Sequence, residues 1–533
     1  MSEPSKSNRV WILWLAEFVL IGAPLFIGGC MTSVSDWVRN GFKVGPNYET
    51  PAAPVADDWL YANDSSVRTE QIDEWWRVFQ DQKLNWLIET AYEQNLTLRE
   101  AGTRILQARA QQAIAVGNLF PQTQQAEGYY NRVRLSENTF NNPAALAGEF
   151  PPGTTPPSMV GSTYSDWSAG FNLSWELDFW GRFRRLIESA NANLDASVAD
   201  YDGALVTLLA DVATNYVQYR VAQQRIRIAQ DNVRIQQSVV DLAEERFNVG
   251  TTTRLDVEQA RTILEQTRSA IPSLRIALGQ ANDQLCTLLG IPPRDLSAEL
   301  GEGATLGADP VGNVPNWVAT GIPADLLRRR PDIRSAERQV AAQSPLIGVA
   351  EADLYPAFSI DGTLGFEAAE FSNLFASKSF FGSVGPSFKW NILNYGRIKN
   401  NVYLQEARTQ ELIAAYQNQV LTAAQEVQTS LRGFLYSREQ VDALSRGATA
   451  AVEATELGLV QYRGGTVNFT PVFQLQTSQV TVQDQLAVAQ GNVALNLINT
   501  YRALGGGWEI RMHKDQSTQT QSASTQPAEV SHP

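Results

Sequence analysis

The chain is almost without histidine. Two occur in 533 residues, His513 and His532, both in the last stretch. That removes the commonest general base and metal ligand from the body of the protein. Cysteine is as scarce, with only Cys30 and Cys286. If Cys30 is modified, no disulfide can form within one chain. Cys286 lies in the helical run Gln284 to Leu289 and reads as a small core residue. Basic charge is in deficit: the formal net charge of −14 argues against a nucleic-acid partner, because phosphate contact needs a basic surface. No glycine-rich phosphate loop opens a helix, Gly464-Gly465 lacks the lysine such a loop needs, and no metal-ligand spacing occurs. The pattern does not support an enzyme, a bound cofactor or a metal.

Helix breakers are missing from one long stretch. Between Gly181 and Gly250 there is no proline and one glycine, Gly203. Apolar residues recur there every seven positions, at Val198, Leu205, Val212, Tyr219, Ile226, Val233, Val240 and Phe247. A heptad held this long marks a left-handed supercoiled helix. The 67 residues from Arg182 to Asn248 would reach about 100 Å.

The stretch occurs twice. Adding 215 gives Ile413, Val420, Val427, Phe434, Val441, Ala448, Thr455 and Tyr462, with Thr455 the one misfit on an apolar seam. Trp175, Gly181, Gly250 and Gly290 map likewise onto Trp390, Gly396, Gly465 and Gly505. Anchors and phase agree without a gap, so the chain is internally duplicated.

In chain order, residues 1–29 read as an export signal with Lys6 and Arg9 before an apolar body. It ends Ile27-Gly28-Gly29-Cys30, similar to a lipoprotein signal box that makes Cys30 the lipidated N-terminus; a transmembrane anchor is the alternative. Met31, rather than Asp, follows Cys30, which resembles an outer-membrane sorting choice. Residues 30–82 form an extended arm punctuated by Pro46, Pro51 and Pro54. A first repeat spans 83–290, a connector 291–321, a second repeat 322–508, and a disordered tail 509–533.

Within the repeats, helices are expected from Lys83 to Gly117, Leu255 to Leu289 and Pro323 to Leu354. Pro272 should kink the second, and Pro345 should bend or break the third. Strands are expected at about 122–135, 164–178, 357–366 and 380–393. Trp167, Ala169, Phe171, Leu173 and Trp175 alternate with Asp166, Ser168, Asn172, Ser174 and Glu176. One apolar and one polar face fit a soluble sheet on a helical core, or a membrane barrel wall with a wet lumen. The first strand alternates poorly: Glu127 and Asn131 fall where its repeat partner is apolar. The first half carries 20 extra residues, assigned to the loop 136–163 between its strands.

Each half thus reads helix, strand, strand, long helix, turn, helix, mainly α with membrane β. Four strands cannot close a barrel, and unpaired edges cannot face lipid. Two chains would give eight strands and a filled interior; three would give twelve and an open lumen. Polar strand faces prefer the lumen. The shorter helices, stacked end to end, would match the long one and make a coiled-coil tunnel.

Here the chain resembles the outer membrane factors of the TolC/NodT type. The resemblance is carried by Val44-Gly45-Pro46-Asn47-Tyr48, Trp75-Trp76, Asn118-Leu119-Phe120-Pro121 and Trp175-Glu176-Leu177-Asp178-Phe179-Trp180-Gly181-Arg182. Leu326-Leu327-Arg328-Arg329-Arg330-Pro331-Asp332-Ile333, Leu354-Tyr355-Pro356 and Asn394-Tyr395-Gly396-Arg397 belong to the same set. It implies a homotrimer with a twelve-stranded barrel in outer-membrane lipid. It also implies a tripartite efflux pump, with a periplasmic adaptor and an inner-membrane transporter as partners. A type I secretion channel, or a non-conducting trimeric coiled-coil envelope protein, are the alternatives.

The turns after Gly250 and Gly465 would close the periplasmic tip. The family's acidic residues past the second glycine are replaced by Pro471 and Gln474. Arg254, Asp256 and Tyr462, with Arg463 and Gln474 nearby, are the gate candidates, against a merely solvated turn. Trp175, Trp180, Arg182 and Trp390 are candidates for the membrane interface, with Arg184 and Arg185 meeting lipid headgroups or solvent.

Overall fold

The computed structural model describes residues 32–68, 73–134, 136, 163–301 and 314–512. The signal segment with Cys30, nearly all of the first strand connection and the tail from 513 on lie outside the described residues; at 509–512 the expected disorder is corrected, since Ile510 is buried and Arg511 donates to Asp202 at 3.1 Å. In chain order the main elements are α1 (Gln82–Gln94), α2 (Leu96–Gly117), β1 (Thr123–Arg134), β2 (Thr163–Leu177), α3 (Arg182–Asn248) and α4 (Arg254–Leu288). They continue as α5 (Pro331–Ala352), β3 (Ala357–Ala368), β4 (Phe380–Lys389), α6 (Arg397–Arg463) and α7 (Phe469–Ala503). The chain forms two compact units. One comprises 1–49, 109–193 and 340–411 and holds the sheet; the other comprises 50–108, 194–339 and 412–533 and is helical.

The duplication is visible in every long helix. α3 and α6 each have 67 residues and α4 and α7 each have 35, with starts and ends 215 apart. The anchoring glycines explain why the spacing is kept. Gly250 and Gly465 have φ of +76° and +74°, a left-handed conformation that stops each long helix. After each, the next threonine N–H closes the helix end: Thr251 donates to the Arg246 carbonyl at 2.9 Å, and Thr466 to that of Gln461 at 3.1 Å.

The expected helix from Lys83 to Gly117 is two helices. Asn95 has extended backbone, and its Oδ1 caps α2 by accepting from the Leu98 N–H at 2.8 Å. Its Nδ2 donates to the carbonyl of Leu288, the last residue of α4, at 2.8 Å. Arg330, which precedes α5, donates in the same way to the Ala503 carbonyl at the end of α7, at 2.8 Å. So α4 abuts α2, and α7 abuts α5, through a side chain that satisfies an otherwise orphaned helix-end carbonyl. Gly290 and Gly505 lie at these joints; a Cβ on Gly290 would come 2.5 Å from the Gln94 oxygen.

Neither proline breaks its helix. Pro345 and Pro272 both sit inside uninterrupted helices, α5 and α4. On either side of Pro345, Ala341, Ala342, Ile347 and Ala350 are buried, so packing holds the helix where one hydrogen bond is lost.

The sheet has the order β1-β2-β3-β4, with every neighbour antiparallel. The registers put Trp167, Phe171, Leu173, Leu364, Phe366, Val384 and Phe380 on one face. Asp361 lies on the other, where it accepts from the Ser174 and Ser387 hydroxyls at 2.6 Å each. Glu127 joins this polar face and accepts from Asn172 at 2.6 Å. The register moves Glu127 and Asn131 to the polar face, but β1 still alternates poorly: Arg132 falls on the face of Trp167 and Phe171, and Val133 on the polar one. Glu127 pairs with Gly170 and Asp361 with Gly385, a spacing of 361 − 127 = 234 rather than 235. One of the extra residues precedes the strand, and a one-residue shift moves every side chain to the opposite face. β4 ends at Lys389, short of 393, because Trp390 leaves the ladder and its indole N–H donates to the Leu354 carbonyl at 3.0 Å. Among the described residues, β1 and β4 each have one unpaired edge.

Candidate functional site

The turns joining α3 to α4 and α6 to α7 come together over one apolar cluster. Val239, Val240 and Ala243 of α3 meet Val257, Ala260 and Leu264 of α4, Tyr462 of α6, and Phe469 and Val472 of α7. Tyr462 is 1 % exposed and packs edge-on against Phe469, with ring centroids 5.5 Å apart. Its ring lies 4.7 Å from the Arg246 guanidinium carbon, and Arg246 also donates to the Tyr462 main-chain carbonyl. One cation at the end of α3 thus grips the end of α6 by charge, by hydrogen bond and by its position at two helix C-termini. The Tyr462 hydroxyl is buried and has no hydrogen-bond partner among the described residues.

The sequence candidates are distributed differently from expectation. Arg254 is exposed and lies 3.7 Å from Glu258 of its own helix. Asp256 is buried and accepts from the Thr252 hydroxyl, while its N–H is capped by Thr253 Oγ1 at 3.4 Å. That is the behaviour of an acidic residue in the first turn of a helix. Arg463 and Gln474 are exposed. The residue that meets Tyr462 is Arg246, which the heptad reading passed over because it sought apolar positions. The available signal was a cation in the last turn before Gly250.

The strand–helix junction is organised around carbonyls. Trp175 donates to the Leu119 carbonyl at 3.2 Å, as Trp390 does to Leu354, so the duplicated tryptophans fasten the duplicated helix–strand turns. Trp180 donates to the Pro356 carbonyl at 2.8 Å. Arg182 lies 3.6 Å from both Glu176 and Asp353.

Arg184 and Arg185 are corrected: their charge is used inside the chain. Arg184 donates to the Gly41 and Phe42 carbonyls at 2.7 and 2.8 Å. Arg185, 1 % exposed, donates to the Val44 and Gly45 carbonyls at 3.0 and 2.8 Å. Together they clamp the arm, whose Gly45 has φ +80° and leaves no space for a side chain: a Cβ would lie 2.4 Å from Gly348 Cα. Glu188 receives Lys43 and Arg185. Burial opposes its charge, but the hydrogen bonds from those two cations hold its carboxyl below the ordinary 4.5.

Among the described residues no group of three His, Cys, Asp or Glu could hold a metal ion, and no helix is long and apolar enough to cross a membrane. The model of the outer membrane efflux protein family matches residues 87–291 and 322–506, one block in each half of the duplication, and the chain belongs to that family. It is similar to the pyoverdine export outer membrane protein OpmQ of Pseudomonas putida, 31 % identical over 86 % of this chain and 93 % of that protein. Nodulation protein T of Rhizobium leguminosarum bv. viciae is 27 % identical over 91 % and 92 %. Among solved structures, the outer-membrane channel OprN superposes with a TM-score of 0.77 at 31 % identity, covering 87 % of this chain and 99 % of that one. The protein is an efflux channel of the Gram-negative outer membrane, the exit duct of a tripartite pump.

Proposed function

We propose that three copies join their sheets into one twelve-stranded barrel and their helices into a periplasmic tunnel, anchored by lipid on Cys30. The observation that carries this is the four-stranded sheet. It has an apolar face, a polar face and two unpaired edges, β1 and β4. A strand edge facing hydrocarbon leaves backbone donors and acceptors unmet, so the edges call for neighbours. Three identical sheets closed by cyclic symmetry supply them, and the polar faces line a water-filled lumen.

The tip cluster is then the gate. Arg246 holds the α6–α7 turn to α3, and opening means breaking that grip in each copy. The duct passes small molecules delivered by an inner-membrane transporter through a periplasmic adaptor. Relatives of comparable identity are named for pyoverdine export and for nodulation. The pump, more than the duct, therefore selects the cargo. Reconstitution in planar bilayers tests the reading: purified protein should give discrete ion currents, rising when Arg246 is replaced by Ala. Silent bilayers containing correctly folded protein would reject it.

A further inference from the structure

Just inside the apolar tip cluster lies a layer of buried amides. Gln236 of α3 is 2 % exposed and Gln476 of α7 is 3 % exposed. The helices run antiparallel here: Gln224 meets Gln490, and Asn232 donates to Gln483 at 3.0 Å. One turn nearer the tip, Val240 and Val472 share the apolar cluster. Gln236 and Gln476 are thus bracketed between a made amide–amide bond and an apolar plug. Among the described residues, Oε1 of Gln236 and both polar atoms of Gln476 are buried without a hydrogen-bond partner. On α6, Thr455, the misfit in the heptad seam, is also buried and turns its hydroxyl back to the Ala451 carbonyl at 2.8 Å.

Orphaned amides penalise whichever state hides them, and a polar residue in a coiled-coil seam lowers the stability of that seam. The layer is not duplicated. Subtracting 215 from Gln476 and Thr455 gives Arg261 and Val240, and the inward face of α4 reads Val257, Ala260, Ile263 and Leu264. On α4 the one comparable group among the described residues is Gln259, whose Oε1 is also buried without a partner, so both hairpins carry an orphaned amide near the tip. Farther from the tip the seat is firm. Arg225 pairs with Asp484 at 2.7 Å, and α7 approaches α3 so closely at Gly491 that a Cβ would lie 2.5 Å from Val221.

We propose that the Gln236–Gln476 layer is the hinge at which the end of α7, with the α6–α7 turn, swings off α3. The swing carries the orphaned amides to water, which meets their hydrogen bonds and offsets the loss of apolar contact at the tip. The inference rests on reading the tip as a gate, and adds where it bends.

The test uses the full-length protein in planar bilayers, with Gln476→Leu and the isosteric Gln476→Met each placed on the wild type and on Arg246→Ala. Both replacements remove the orphaned amide but keep the volume, so the seated state is favoured. On the Arg246→Ala background, open probability should fall roughly tenfold. If Arg246→Ala raises the current and neither substitution lowers it, the hinge is refuted while the gate stands. If Arg246→Ala raises nothing, the gate reading fails first. Spin labels supply a second measurement. The Ser238–Gln474 distance should lengthen in Arg246→Ala while Gln230–Gln485 stays fixed. Equal movement of both pairs, or of neither, overturns the proposal.

Discussion

Replacing Arg246 by Ala removes two interactions at once. The charged hydrogen bond to the Tyr462 carbonyl is worth about 1.5–3 kcal/mol, and the guanidinium–ring contact at 4.7 Å about 0.5–2 kcal/mol. Arg246 is only half-buried, so the low end of the sum, about 2 kcal/mol per chain, is the appropriate figure. At 1.4 kcal/mol per decade that shifts the closed-to-open ratio roughly 30-fold for each chain. Arg246→Lys keeps the charge but not the planar fork, and should recover only part of the loss. Tyr462→Phe gives the sharpest contrast. It keeps ring and carbonyl and deletes a hydroxyl that is buried without a partner, so it should leave bilayer current at the wild-type level. Asp256→Ala should loosen the start of α4 by about 1 kcal/mol without raising the current. The reasoning is refuted if Tyr462→Phe or Asp256→Ala opens the channel as far as Arg246→Ala.

Three further outcomes are expected. Gly45→Ala should dislodge the arm, since its φ of +80° alone costs a side chain about 1–2 kcal/mol before the overlap with Gly348 is counted; limited proteolysis between 32 and 49 reports it. The same assay should depend on pH. Glu188 has a folded pKa below 4.5, so its contribution is full above that value and is lost as pH falls through the folded one. Glu188→Gln should flatten that dependence. Asn95→Ala should cost about 1–2 kcal/mol in thermal unfolding through the lost cap. Arg330→Ala should cost about 1–3 kcal/mol, because it leaves the Ala503 carbonyl at the end of α7 without its donor, while Asp332 and Glu426 are exposed enough for water to replace the guanidinium.

The helical frame was legible because its punctuation is local. A left-handed turn needs glycine, so Gly250 and Gly465 marked the ends of α3 and α6 in the sequence itself. What the sequence concealed depends on partners distant along the chain. Asn95 sits inside the run expected to be one helix from Lys83 to Gly117, and only its bond to Leu288 makes it a joint. Arg184 and Arg185 read as facing lipid headgroups or solvent because nothing nearby in sequence offers the carbonyls of residues 41–45. Placing all 20 extra residues in the loop 136–163 puts the strand offset wrong by one, because one of them precedes β1, and a period of two tolerates no such error. Arg246 was missed since its partner lies 216 positions away.

The central claim is that one chain supplies a third of a closed barrel. Light scattering on the detergent-solubilised full-length protein, with bound detergent subtracted, measures this most directly. A protein mass of three chains is the predicted result; a stable, well-folded species with the mass of one chain would contradict it.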